Sequence, residues 1–168
     1  MKQIPCGYGN FALVDDTDYT WLIQYMWTTQ DGYAVVDRRL SLLCQASMPY
    51  SMSENIYMHR LILDLQNEQG HEKGGDHRNH NRLDNQRDNL RVCTSGQNAA
   101  NQLSHQNTTS QYKGVCWHKC TGKWLARICI NNNKIHLGYF DNERTAAFAY
   151  ILAAKKYFKN FALLNKIG

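Results

Sequence analysis

No apolar run in these 168 residues approaches the roughly 20 that a membrane-spanning helix needs, so no membrane partner is expected. The opening MKQIPCGYGN lacks the apolar core of a secretory leader. Cys-x-x-Cys pairs are absent as well. The six cysteines are scattered, and Cys116 with Cys120 makes a lone Cys-x-x-x-Cys, too little for a zinc site. A cytoplasmic protein with reduced thiols is the natural expectation. Acidic residues run out toward the end of the chain. Residues 111–168 hold 2 Asp/Glu against 10 Lys/Arg, a net of +8, whereas residues 1–70 carry −4 and residues 71–110 carry +1. That excess marks the last third as the part that meets a polyanion, because lysine and arginine neutralise phosphates and release counterions. A disorder signature is missing too: an apolar content of 43% is that of an ordinary globular chain, long enough for one or two small domains.

What is present is concentrated in residues 74–98, GGDHRNHNRLDNQRDNLRVCTSGQN. Asp76 stands beside His77, Asn89 lies 12 residues beyond His77, and Asn98 lies 22 beyond Asp76. Hydrolysing a phosphodiester needs a water made nucleophilic, a cation on the developing charge and a fixed line of attack. A neutral imidazole can take the water's proton. Carboxylate and amide oxygens are hard ligands that suit Mg²⁺, which takes few protein ligands and keeps several waters. His71 and His80 compete for a metal or proton role, and Asn101, one turn after Asn98, is the other amide candidate. The plain alternative is a polar loop whose Asn and Asp side chains satisfy their own backbone. Arg78, Arg82, Arg87 and Arg91 surround the motif; an arginine here can clamp a phosphate or pair with Asp84 and Asp88. Cys93 sits in an alternating apolar stretch and reads as packed rather than reactive.

At Asp76-His77-Arg78-Asn79, Leu83-Asp84-Asn85, Asn89-Leu90-Arg91 and Gln97-Asn98 the sequence resembles the HNH endonuclease family, in its phage and intron homing-endonuclease branch. The resemblance implies a ββα-metal core, a β-hairpin packed on a helix with one metal between them. It makes His77 the general base and places one Mg²⁺ (or Mn²⁺) on Asp76 and Asn98. It makes Asn89 the middle residue that holds the His77 loop. Arg78 and Arg91 are the expected phosphate contacts. In this branch the final His of the family name is an Asn, so Asn98 is no departure.

Ahead of the motif, Phe11–Val14 reads as a strand, Asp15 to Asp18 as turn and N-cap chemistry, and 19–26 as a helix. A strand over 32–36 follows the Asp31-Gly32 turn, 41–53 is ambiguous, and 55–65 has helical spacing. His59 and Arg60 inside that run read as shoring up the motif rather than as catalytic. Gly74-Gly75 suggests a tight turn before Asp76. Leu90–Cys93 alternates as a short strand, and Thr94 with Gln97 is a capping-box signature for a helix.

Residues 104–111, SHQNTTSQ, lack apolar side chains and read as a linker. Strands are expected at 112–117, 123–130 and 135–140, then a helix over 142–158 capped by Asp141. In 123–130, Trp124, Ala126, Ile128 and Ile130 form one face and Lys123, Leu125, Arg127 and Cys129 the other. YKGV, KWLARI, LGYF, AAFAY and FALLN resemble the DNA-binding domain of plant ethylene-response factors, the apetala-type domain. That resemblance implies a three-stranded antiparallel sheet in the DNA major groove with one helix behind it. Carried over by position, the DNA face includes Lys113, Cys116, His118, Arg127, Cys129, Lys134 and His136, with Tyr139 and Tyr150 reaching the backbone. Lys119 and Lys123 add phosphate contacts, and Trp117 and Trp124 read as core. Cys116, His118 and His136 depart from the plant pattern, so its target sequence does not carry over.

The expected architecture is α+β: an N-terminal α/β extension over 1–70, the nuclease motif over 71–105, a linker over 106–111 and the ethylene-response-factor-like domain over 112–168. The expected function is a metal-dependent homing-type endonuclease on double-stranded DNA, monomer or weak dimer, in the cytoplasm of a phage's bacterial host. The rival is a DNA-binding regulator whose nuclease motif is inactive.

Overall fold

The computed structural model describes residues 1–37, 55–65, 73–103 and 109–167. The ambiguous stretch 41–53, His71 and residues 106–108 of the expected linker lie outside them. The chain divides into two compact units, Met1–Ser95 and Gly96–Gly168.

In the first unit β1 (Lys2–Pro5) and β2 (Phe11–Val14) form an antiparallel hairpin. Its turn runs through Gly7, Tyr8 and Gly9, all at positive φ. The hairpin buries Ile4, Ala12 and Val14. The next element is a helix at Asp16–Leu22, three residues earlier than expected and ending at Leu22 rather than Met26. Asp15 is its N-cap by position, yet its carboxylate does not cap the helix. It accepts instead from the backbone N–H of Arg87 at 2.8 Å and from Gln86 Nε2 at 3.4 Å. A long-range partner has displaced the local one.

β3 (Thr28–Gln30), β4 (Tyr33–Asp37) and β5 (Asn55–Tyr57) form an antiparallel sheet in that order. The Asp31-Gly32 turn has both residues at positive φ, the geometry that favours Asp-Gly in two-residue hairpins. The helix expected over 55–65 is only Met58–Ile62, because Asn55–Tyr57 pairs with β4. Sheet pairing overrides the local spacing. The core gathers Ile4, Val14, Leu22, Val36, Met58 and Leu90 from every part of the unit.

β6 (Gly74–His77) and β7 (Leu90–Cys93) form a second antiparallel hairpin, with Asp76 opposite Arg91 and His77 opposite Leu90. Gly74-Gly75 is therefore strand, not turn, and neither residue has positive φ.

The second unit opens with the rest of the helix Ser95–Asn101. The sequence motif groups this helix with the nuclease. Three links tie it to the sheet and helix of the second unit. Ala100 packs with Ile128, Tyr150 and Phe158; Ala100 O accepts from the Leu163 N–H at 3.1 Å; and Lys113 closes its C-terminus. β8 (Val115–His118), β9 (Lys123–Ile130) and β10 (Asn133–Phe140) form an antiparallel sheet in the order β10-β9-β8. A helix at Glu143–Phe158 packs behind it through Ala146, Ala147, Tyr150, Ala153 and Ala154. The cap is Asn142, whose side chain accepts from the Arg144 N–H at 2.7 Å, rather than Asp141. Gly114 has φ +76, and a Cβ there would overlap the Tyr150 ring and the Arg127 carbonyl.

Candidate functional site

β6 ends on Asp76 and His77, adjacent in the chain and both buried at 6% and 5% exposure. Asp76 Oδ2 accepts from Arg91 Nε at 2.8 Å, and Arg91 Nη2 lies 2.7 Å from the same oxygen. Arg91, expected at a phosphate, is instead 10% exposed and engaged with its cross-strand neighbour.

Between the two strands, residues 78–89 form a loop that satisfies much of its own backbone, as Asn and Asp side chains do. Asn79 Oδ1 accepts from the Asn81 N–H, and Asn81 Oδ1 from the Leu83 N–H. Asn89 braces both ends. Its Oδ1 accepts from the Asn79 N–H at 3.0 Å, its Nδ2 donates to Asp84 O at 2.7 Å, and its carbonyl accepts from the Arg78 N–H at 2.9 Å. The side chains of Arg78 and His80 project from an exposed part of this loop.

The N-terminal hairpin and helix hold the far side of the loop. Leu13 exchanges backbone hydrogen bonds with Leu83 and Asn85 at 2.8 Å each. Arg87 donates through Nε and Nη2 to Asp18, which is 2% exposed, at 2.8 and 2.7 Å. The result is to place Asn85, a residue given no role from the sequence, against the His77 ring. Asn85 is 1% exposed, and its Oδ1 lies 3.3 Å from His77 Nε2. Among the described residues no acceptor reaches Asn85 Nδ2. Leaving a buried amide donor unpaired costs about 1–3 kcal/mol. The sequence held the signal only as the Asn of Leu-Asp-Asn; eight residues of loop hid which side chain it would meet.

Aromatic rings also lie close to His77. Tyr33 lies 5.9 Å and His59 5.1 Å from it between ring centroids, and Tyr57 packs on both Tyr33 and His59. Arg82 caps the cluster, 4.6 Å over the Tyr33 ring, with Nη1 donating to Asp31 O. His59 fits because Gly75 has no side chain. A Cβ there would lie 2.5 Å from His59 Cδ2 and 3.1 Å from Leu63 Cδ1. Gly75→Ala is expected to cost about 1–3 kcal/mol by overpacking. A lower urea midpoint with impaired site geometry is the expected readout; an unchanged midpoint would show that the contact relaxes freely.

Burial, with repulsion from His77 and Arg60, pulls His59 down from 6.5 to about 3. Burial lowers His77 as well, opposed by its bond to Asn85 and by Asp76. The unfolded chain binds the His59 proton near 6.5 and the folded chain near 3. Stability is therefore full above 6.5 and falls as pH drops through this window, by at most ~1.4 kcal/mol per pH unit. Urea titrations at pH 7 and pH 5 should show the lower midpoint at about pH 5; equal midpoints would mean the His59 ring is solvated.

Asn98 lies half-buried on the helix Ser95–Asn101 in the second unit. Among the described residues no three His, Cys, Asp or Glu side chains group as a metal cluster. The expected donor set is of another kind, one carboxylate and one amide oxygen, and such hard donors fit a strongly hydrated divalent cation.

On the sheet of the second unit the register aligns His118 with Lys123, Cys116 with Leu125 and Tyr139, Arg127 with His136, and Cys129 with Lys134. Paired residues share a face. A bulge between His136 and Gly138 puts both His136 and Tyr139 on that face, 4.7 Å apart, with His118 5.1 Å from Tyr139. Arg127, Lys134 and His136 are exposed there, and Lys119 is exposed in the β8–β9 turn. Lys123 makes a surface ion pair with Asp141 at 3.0 Å, which binds it only weakly. Two residues stand elsewhere. Lys113 Nζ donates to the carbonyls of Ala99, Ala100 and Gln102 at 2.9, 2.7 and 2.6 Å, engaging all three N–H donors of an ammonium. Burial pulls its pKa to about 8, which still leaves it charged at neutral pH. Tyr150, expected at the DNA backbone, is buried under Gly114 with its pKa raised to about 12 by burial. Trp124 packs against the core as expected, while Trp117, stacked on it edge to face, is 39% exposed.

Two family models match the chain: HNH endonuclease over residues 57–100 and AP2 domain over residues 110–160. An uncharacterised HNH endonuclease of Acanthamoeba polyphaga mimivirus is 27% identical over 99% of this chain and 90% of its own length. An AP2-like ethylene-responsive transcription factor of Arabidopsis thaliana is 37% identical over 34% of this chain, and an APETALA2-like protein of Oryza sativa is 41% identical over 29%. The chain spans only 22% and 11% of the length of those two plant proteins, so that likeness is confined to the AP2 segment. Together these matches support the combination of an HNH endonuclease domain and an AP2 domain in one chain.

Proposed function

We propose that the chain is a metal-dependent, homing-type endonuclease that binds double-stranded DNA through its AP2 domain and hydrolyses a phosphodiester at the HNH segment. The observation that carries this is the burial of Asp76 beside His77 at the end of the β6–β7 hairpin, inside the segment that matches the HNH family. His77 takes the proton of the attacking water. The water oxygen bonds to phosphorus in line, the bond to the 3′ oxygen breaks, and that oxygen takes a proton from solvent, leaving 5′-phosphate and 3′-hydroxyl ends. Asp76 and Asn98 are the residues that would hold one Mg²⁺ or Mn²⁺, which when bound supplies positive charge at the phosphate and the leaving oxygen. Asn89 keeps the loop after His77 in place, and Arg78, at the exposed edge of that loop, contacts phosphate. His118, Lys119, Lys123, Arg127, Lys134 and His136 present the DNA face of the other unit. The working form is a monomer or weak dimer in the cytoplasm of the host cell.

One observation favours the rival regulator: the Asp76 carboxylate is bonded to Arg91. Cleavage of plasmid DNA, and of DNA from the source genome, with Mg²⁺ and with EDTA decides between the two. Nicked or linear product that requires the metal is the expected result. Metal-independent DNA binding with no cleavage of either substrate would establish the regulator.

A further inference from the structure

We infer that a cavity beside the sheet face of the second unit takes one unpaired nucleobase, while Arg127 and Lys134 at its mouth hold the attached phosphate. This rests on the reading of the sheet as the DNA face and names a ligand which that reading leaves open. The base comes from the bound DNA strand or from a free nucleotide, and the two sources share one chemistry.

The cavity, about 280 Å³, lies wholly within the second unit, between the C-terminal end of the helix Ser95–Asn101 and the strands β8 and β9. That is just below the range of about 300–1,000 Å³ common for drug-sized ligands, so it suits one ring system rather than a large cofactor. Leu103, Val115, Ile128 and Tyr150 give it apolar walls, the surface that the flat faces of a base need. Arg127, Cys129 and Lys134 line it too, and all three are exposed on the sheet face, so the cavity opens there. Arg127 stands opposite His136, and Lys134 stands opposite Cys129. Arg127 and Lys134 are therefore diagonal neighbours on adjacent strands, both long enough to reach one phosphate. Among the described residues no carboxylate lines the cavity, which disfavours a cation as ligand. Lys113 is also in the wall, but its ammonium is held by the helix carbonyls, so the anion falls to the two residues at the mouth.

The end of a strand ladder supplies the polar edge. β8 pairs with β9 from His118 back to Val115, and the Arg127 N–H donates to Gly114 O at 2.8 Å. In an antiparallel ladder every second residue turns both its N–H and its C=O to the same neighbour, so Cys129 is the next to face the β8 side. Among the described residues no strand stands opposite Cys129 on that side. Its N–H and C=O are left as a donor and an acceptor at the cavity wall. A base edge carries the same kind of neighbouring donors and acceptors. A base that is paired and stacked has this edge and both faces in use, so the fitting ligand is an unpaired one.

The test uses the full chain in EDTA and two readouts. The first is the affinity for a labelled duplex with one extrahelical nucleotide, compared with its fully paired parent. The second is the rate at which iodoacetamide alkylates Cys129, mapped by mass spectrometry against Cys120, which is exposed and lies outside the cavity. The extrahelical duplex is expected to bind about tenfold tighter than the paired one. Ala99→Phe puts a ring into the cavity from an exposed helix position. It should abolish that preference and leave the paired duplex within about twofold of wild type. Leu103→Trp, from a position 66% exposed, does the same if Ala99→Phe lowers the melting temperature. At least one 5′-deoxynucleoside monophosphate at about 4 mM should slow Cys129 alkylation about fivefold, as a Kd of about 1 mM requires, and leave Cys120 unchanged. Inorganic phosphate at the same concentration should protect neither. A preference without nucleotide protection assigns the base to the DNA strand, and protection without a preference assigns it to a free nucleotide; either supports the cavity. Neither effect in the wild type overturns the inference whether or not a variant folds. So does a preference that the folded variant keeps, or protection by phosphate equal to that by nucleotides. A paired duplex that does not bind at all would remove the sheet as the DNA face, while protection of Cys129 by a nucleotide would still stand, which separates the two failures.

Discussion

His77→Ala is expected to lower DNA cleavage by about 1,000-fold while leaving DNA affinity within about twofold of wild type. The imidazole is the base in the proposed reaction, and a positioned general base contributes about 10²–10⁴-fold. The basic sheet face belongs to the other compact unit, Gly96–Gly168, so affinity should not depend on this ring. His77 is nearly buried between Asn85, Tyr33 and His59, so the substitution also leaves a polar hole. Thermal melting and His77→Gln, which keeps most of the volume, separate that effect from chemistry. Cleavage lost with affinity and melting intact supports the assignment. Affinity and cleavage lost together would point to misfolding, and full cleavage by either variant would remove His77 from the mechanism.

How much of this was legible before the structure depends on how local each interaction is. The Asp31-Gly32 hairpin, the alternation of Trp124, Ala126, Ile128 and Ile130, and the motif around Asp76 and His77 are signals carried by a few neighbouring residues, and each could be read directly. The differences fall where a distant partner decides. Asp15 has the chemistry of a helix cap but serves the loop at Arg87. Asn55–Tyr57 has helical spacing but completes a sheet. Gly75 looks like a turn glycine, yet what it supplies is the room into which His59 packs. Lys113 sits at the position of a DNA contact, but its ammonium closes a helix through carbonyls 11 to 14 residues before it. Arg91 pairs across the hairpin with Asp76, a partner visible only once the register of β6 and β7 is known. Asn85 is the same case within the candidate site, since eight loop residues must fold before it meets His77.

DNA binding by the full chain in EDTA should weaken by about 150-fold between 50 and 200 mM salt. Lys119, Lys123, Arg127 and Lys134 are the basic residues on the sheet face and its turn. About four neutralised phosphates give a slope of about −3.6 in log affinity against log salt. Each residue should carry about one unit of phosphate contact, so Lys134→Ala should flatten the slope by about 0.9. Lys123→Ala should flatten it less, because Lys123 is paired with Asp141 in the free protein and must exchange one anion for another. Lys113→Ala separates this face from mere positive charge. Its ammonium is engaged with three helix carbonyls, so removing it should lower the melting temperature and leave the slope unchanged. Fluorescence anisotropy with a labelled duplex across a salt series measures all four proteins. A slope near zero would remove the sheet as the DNA face. A slope that responds to Lys113 but not to Lys134 would move the contact away from β9 and β10, toward the end of the helix Ser95–Asn101.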